Sequence, residues 1–143
     1  MGLTRQAVKD MLVSEGLDPE NKNWPDDEED EVTELIIYQP FVTVMMFGPD
    51  DDLNTIETTT IPSTDETESY YQAMISLWLL RAVFPDWASS NQWFNRALSS
   101  VTNSSTNKRA LVTRSGKKAE VILADAHFYL NLTGLPVETV DTE

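Results

Sequence analysis

For nucleophilic or metal chemistry the chain offers one histidine, no cysteine and scattered hydroxyls. His127 stands in the apolar run Ala126-His127-Phe128-Tyr129, where a lone histidine is ordinarily a hydrogen-bonded packing residue. A serine or threonine nucleophile would have only that imidazole as its histidine base, and no Gly-x-Ser-x-Gly elbow exists. A zinc site would have to be completed by carboxylates alone, since thiolates are absent and imidazole is single. Asp50, Asp52 and Asn54 occupy the first three ligand positions of a calcium loop. The match then fails, because Thr55 replaces the turn glycine and Ile61 the bidentate glutamate. The glycines stand singly, so no phosphate-cradling loop can be assembled. Catalysis is disfavoured, and no cofactor is expected.

What the chain has in abundance is negative charge. Residues 1–70 hold 18 of the 24 acidic groups and 3 of the 10 basic ones, a net −15, whereas residues 71–143 come to +1. Six carboxylates run consecutively through Asp26, Asp27, Glu28, Glu29, Asp30 and Glu31, directly after Trp24 and Pro25. Mutual repulsion keeps such a run out of a core, and makes it either a solvated loop or a strip for Lys and Arg. Trp24 beside it is a ready apolar anchor or a lid on the core. Asp50, Asp51 and Asp52 form a second acidic group in a turn begun by Gly48-Pro49. A surface of this sign repels phosphate backbones, so direct nucleic-acid binding is not expected and a basic protein surface is.

The elements that must position these groups are legible in outline. The firmest is a central helix over residues 64–84, apolar round most of its circumference and therefore covered on several sides. Ser63 and Glu66 read as its capping box, acidic residues fill its first turn, and Pro85 ends it. Thr4 reads as the N-cap of a first helix over about 5–15, with Gly16 as its stop. The start Leu3-Thr4-Arg5-Gln6-Ala7-Val8 has the flavour of a helix-turn-helix, but no basic recognition helix follows. Residues 18–34 read as an acidic loop. Val32 to Phe47 changes to strand composition broken at Pro40, and 41–47 with 53–61 reads as a β-hairpin. Ser89 and Gln92 suggest another cap, for a helix over 91–101, and Ala110-Leu111-Val112 a short strand. Residues 117–132 carry two signals. Ser115, Ala119, Glu120, Ala124, Asp125 and Ala126, with Gly134 and Pro136 as a stop, favour helix; the alternative makes Ser115-Gly116 a hairpin turn and adds two strands. Residues 137–143 read as an acidic tail.

A chain of 143 residues is expected to form one α+β domain: an N-terminal helix, a β-hairpin or small antiparallel sheet, and two to three helices around residues 64–84. No basic-then-apolar leader opens the sequence, Gln6 stands where myristoylation wants a hydroxyl, and no apolar run is long enough for a bilayer. The expected place is the cytoplasm, of the host cell if the protein is viral, away from membranes. Four tryptophans and the Met45-Met46-Phe47 run supply core or interface aromatics beyond an obvious need. The expected function is a non-enzymatic, acidic protein-binding protein. Its most specific form is an inhibitor of the phage type that presents Trp24, Asp26–Glu31 and Asp50–Asp52 to a nucleic-acid-binding protein in place of phosphates. The alternatives are a structural subunit of a virion or secretion machine, with self-association, and a secretion-chaperone-like adaptor.

Overall fold

In chain order helix α2, Glu66–Val83, separates two groups of strands that together form one sheet. The computed structural model describes residues 1–15, 20–23, 33–38, 42–106 and 108–135; for 20–23 and 33–38 the backbone pairing alone is described. In chain order the elements are α1 (Arg5–Ser14), β1 (Glu20–Asn23), β2 (Thr33–Tyr38), β3 (Val42–Phe47), β4 (Thr55–Thr60), α2, α3 (Ser90–Asn103), β5 (Arg109–Arg114), β6 (Lys117–Ala124) and β7 (His127–Gly134). The strands form one seven-stranded sheet in the order β1-β2-β3-β4-β7-β6-β5, every neighbouring pair antiparallel. The fold is thus α+β with an N-terminal helix.

Register decides which side chains meet the helices, because alternate residues of a strand point to opposite faces. Val44, Thr58, Leu130, Val121 and Ala110 line up across five strands, as do Met46, Ile56, Leu132, Ala119 and Val112. These rows hold the buried positions, joined by Val8 and Leu12 of α1, Ile75, Leu79, Leu80 and Val83 of α2, and Phe94, Ala97 and Val101 of α3. The helices therefore cover one face of the sheet. On the other face the row Met45, Glu57, Asn131, Glu120 and Leu111 is mixed and largely half-buried.

Residues 117–132 correct the helical expectation: they form β6, a turn and most of β7. Both turns flanking β6 carry two consecutive positive φ angles, Ser115 (54°) with Gly116 (73°), and Asp125 (54°) with Ala126 (63°). That is the backbone of two-residue hairpins whose twist matches the strands. The helix formers Ala119, Glu120 and Ala124 are overridden because alternation supplies an apolar row facing α3, which burial rewards more than propensity penalises. The acidic loop expected over 18–34 contains the strand Glu20–Asn23 and the start of β2; Trp24 and Asp26–Glu31 lie outside the described residues, as does the tail 137–143. The cap of α2 is also moved. Asp65, not Ser63, is the N-cap, its carboxylate accepting from the Glu68 N–H at 3.1 Å. Ser63 supports it from outside, donating to the Glu68 carboxylate at 2.6 Å and accepting from the Asp65 N–H. Thr4 caps α1 as expected, through the Ala7 N–H. Ser89 precedes α3 but caps nothing with its side chain; it accepts from the Trp87 indole at 3.1 Å.

Candidate partner-binding site

Two of the three aspartates in the β3–β4 turn are held from within. Arg5 is buried and forks into that turn: its Nε donates to the Asp50 carboxylate at 2.9 Å, Nη1 to the Met46 carbonyl at 3.2 Å and Nη2 to the Gly48 carbonyl at 2.5 Å. The Arg5 N–H also donates to the Asp50 carbonyl at 2.8 Å. Asp52 accepts from the terminal ammonium of Met1 and from the Gly2 N–H, each at 2.9 Å. Those two donors hold its carboxyl below the usual carboxylate range, the ammonium contributing most. The turn thereby fastens the segment before α1, and α1 with it, to the sheet. Asp50 and Asp52 remain exposed, but their charge is largely answered by Arg5 and Met1; Asp51 is exposed between them. The turn brings the three together in space, and the structure does not place Trp24 or Asp26–Glu31 relative to them.

A different acidic group stands at the start of α2. Asp65 and Glu66 are exposed and Glu68 half-buried. By the 3.6-residue repeat Glu66 shares a stripe with Ser69 and Ala73, and that stripe forms one wall of a groove between α2 and α3. The groove has a volume of about 260 Å³, and Ala73, Ser76, Phe94, Leu98, Thr102, Phe128, Thr60, Pro62, Ser69 and Gln72 line it. Its polar wall is already partly committed, since the Gln72 amide donates to the Ile61 carbonyl at 2.7 Å and Ser69 to the Ser63 carbonyl at 3.0 Å. What remains is chiefly apolar. Ile61, Tyr70 and Tyr71 expose 48%, 62% and 47% of their surface, and the two tyrosine rings meet edge to face at 5.9 Å. Among the described residues these are three of the five large apolar side chains left exposed; Ile61 stands between the lining residues Thr60 and Pro62 and Tyr70 follows Ser69, whereas the helical repeat turns Tyr71 to the far side of α2.

The face of the sheet turned away from the described helices holds a second concavity, of about 390 Å³, walled by Phe47, Thr55, Glu57, Lys118, Glu120, Asn131 and Thr133. Glu120 is buried and ion-paired with Arg109, and the Asn131 Oδ1 has no hydrogen-bond partner among the described residues. His127 joins neither concavity. Its Nδ1 lies 2.6 Å from the Asp125 carbonyl, which requires the proton on that nitrogen, and its ring stacks near Tyr129 at 6.4 Å. Among the described residues no group of three His, Asp or Glu converges on a common point as metal ligands would, and no helix is long and apolar enough to cross a membrane.

Sequence reasoning missed the groove, whose walls come from β4, α2, α3 and β7 and whose existence depends on how two helices splay over a sheet. The local signal was present only in part. Tyr70 and Tyr71 fall on the outward stripe of α2, where a purely structural helix would place polar groups.

No family model matches the chain, and it has no match among curated proteins or solved structures.

Proposed function

We propose that this is a non-enzymatic protein that acts by binding a basic segment of another protein, with the groove between α2 and α3 as the seat of an apolar anchor. One observation carries the reading: the exposed apolar side chains Ile61 and Tyr70 are chain neighbours of the residues lining an apolar groove, and the exposed acids Asp65 and Glu66 stand one turn before Ser69 of its wall. Exposed apolar clusters with a charged rim are the anatomy of an interaction site. The complementary ligand is a Leu, Ile or Phe side chain flanked by Lys or Arg. The run Asp26–Glu31 adds a longer-range field of the same sign and raises the rate of encounter with a cationic partner. In its finer form the partner is a nucleic-acid-binding protein, and the bound acidic surface excludes its phosphates. The engagement of Asp50 and Asp52 by Arg5 and Met1 moves the weight of that reading from the turn to the groove and the run.

Selection of random peptides on the immobilised protein tests the proposal. Recovered sequences should carry an apolar residue flanked by Lys or Arg, and Ala73→Trp, which fills the groove, should abolish their capture. Reversal of Asp26, Asp27, Glu28 and Glu29 to lysine should weaken capture and flatten its salt dependence. Capture untouched by both changes would remove the reading. A secretion-chaperone-like adaptor would use the same groove, but its clients would be apolar and indifferent to salt.

A further inference from the structure

The far edge of the sheet has the opposite chemistry. Five of the ten basic residues fall between positions 108 and 118: Lys108, Arg109, Arg114, Lys117 and Lys118. β5 lies at the end of the strand order, bonded to β6 on one side, and no described strand pairs with its other side. Which of its backbone groups are free follows from the hairpin. A two-residue turn makes Arg114 and Lys117 the hydrogen-bonded pair beside it. Alternation then directs the backbone groups of Ala110, Val112 and Arg114 toward β6, and those of Arg109, Leu111 and Thr113 toward the open side. The bond from the Leu123 N–H to the Lys108 carbonyl, 2.9 Å, continues the same alternation. Leu111 is also 55% exposed, and the strand carries neither proline nor a bulge.

Open edges of this kind are templates for strand addition unless charge or shape blocks them. Here charge selects the guest. Antiparallel pairing of β5 with a second β5 through its outward groups, centred on Leu111, would set Arg114 against Lys108 at both ends, and like charges directly opposed are unfavourable. A net charge of −14 opposes self-association further. We propose that β5 receives an extended segment of a partner protein, acidic at both ends and apolar or β-branched between, added antiparallel along the open side. Its carboxylates reach Arg109, whose exposed guanidinium also pairs with Glu120, and Arg114, which lies five strand rises or about 17 Å away on the opposite face of the sheet. Its backbone takes up the free groups of Leu111 and Thr113, and its central residues lie against Leu111. The site is independent of the groove and opposite to it in sign.

The probe is a capped synthetic peptide, Glu-Val-Thr-Val-Thr-Glu, titrated into the full-length protein and followed by backbone amide shifts. The amides of Leu111 and Thr113 should move together and gain protection from exchange, and added salt should weaken the effect. Leu111→Pro, which deletes an outward N–H at an exposed position, should lose the response, and capped Lys-Val-Thr-Val-Thr-Lys should give none. Thr113→Glu opposes the guest's charge while facing Lys118 across the hairpin, so it keeps the fold and should weaken binding by about tenfold or more. Shifts confined to the groove, or a response equal for the acidic and basic peptides, would overturn the proposal. So would growth in molecular mass with protein concentration that Leu111→Pro abolishes, because the guest would then be a second copy. Loss of the β5 response leaves capture by the groove untouched, and Ala73→Trp leaves the β5 response intact.

Discussion

The aspartates of the β3–β4 turn and the acids at the start of α2 look alike in sequence and do different work. Asp50 and Asp52 are consumed in holding the N-terminal segment: one bonds Arg5 and the other the terminal ammonium, and the turn's carbonyls take the rest of the guanidinium. Asp65 serves its own helix as cap, but Glu66 is exposed one turn before a groove whose lining residues have exposed Ile61 and Tyr70 as chain neighbours. An acidic cluster is therefore not a surface for a partner until its internal partners have been counted. The turn is a clasp, and the mouth of the groove is where unanswered charge and unburied apolar area coincide.

Substitutions can break this comparison in order of size. Arg5→Ala should cost about 3 kcal/mol, because it removes a buried guanidinium and leaves the carbonyls of Met46 and Gly48 without their donor. Chemical denaturation measures the loss; a change below about 1 kcal/mol would mean the clasp is not structural. Gly48→Ala tests the same turn through the backbone. At φ +112° an added Cβ would lie 2.7 Å from the Asn54 nitrogen, so a cost of about 1–3 kcal/mol is expected. Glu66→Lys should do the reverse: stability stays within about 1 kcal/mol, the share owed to the helix dipole, while peptide capture falls sharply.

The pH dependence sharpens the contrast. Asp52 has its carboxyl lowered in the folded state, so its contact contributes stability at pH above the ordinary aspartate value of about 4 and loses it as pH falls through the folded value. Asp52→Asn should remove that part of the acid-side slope; an unchanged acid limb in the variant would show the contact to be idle. The smallest effect is expected at Thr58, whose hydroxyl is buried on the helix-facing side without a partner among the described residues. Thr58→Val removes that polar group and should raise stability by about 1 kcal/mol in the same denaturation experiment.

How much of this could be read from the chain depends on how local each cause is. The helix α2 was visible because its apolar run, acidic first turn and terminal proline are all contained within it. Even there the cap slipped by two residues, since Ser63 and Asp65 both suit the role and only their contacts with Glu68 decide. The β3–β4 hairpin was visible from β-branched residues around Gly48-Pro49. The β6–β7 hairpin was hidden, because Asp125-Ala126 is a poor signature for two positive φ angles, alanine paying for a conformation that glycine or asparagine adopts freely. Alternation through Val121, Leu123, Phe128, Leu130 and Leu132 was the signal to follow. The acidic half was plain from composition, but its division into a clasp and a groove mouth rests on contacts between residues some 45–50 apart, which no local pattern announces.

The measurement that bears most directly on the account is an amide-shift map of the full-length protein titrated with a peptide recovered by the groove. Perturbation centred on Ser69, Ala73, Leu98 and Phe128, and lost in Ala73→Trp, is the predicted result. Perturbation centred instead on Asp50, Asp51 and Asp52, with those groove residues unmoved, would contradict it.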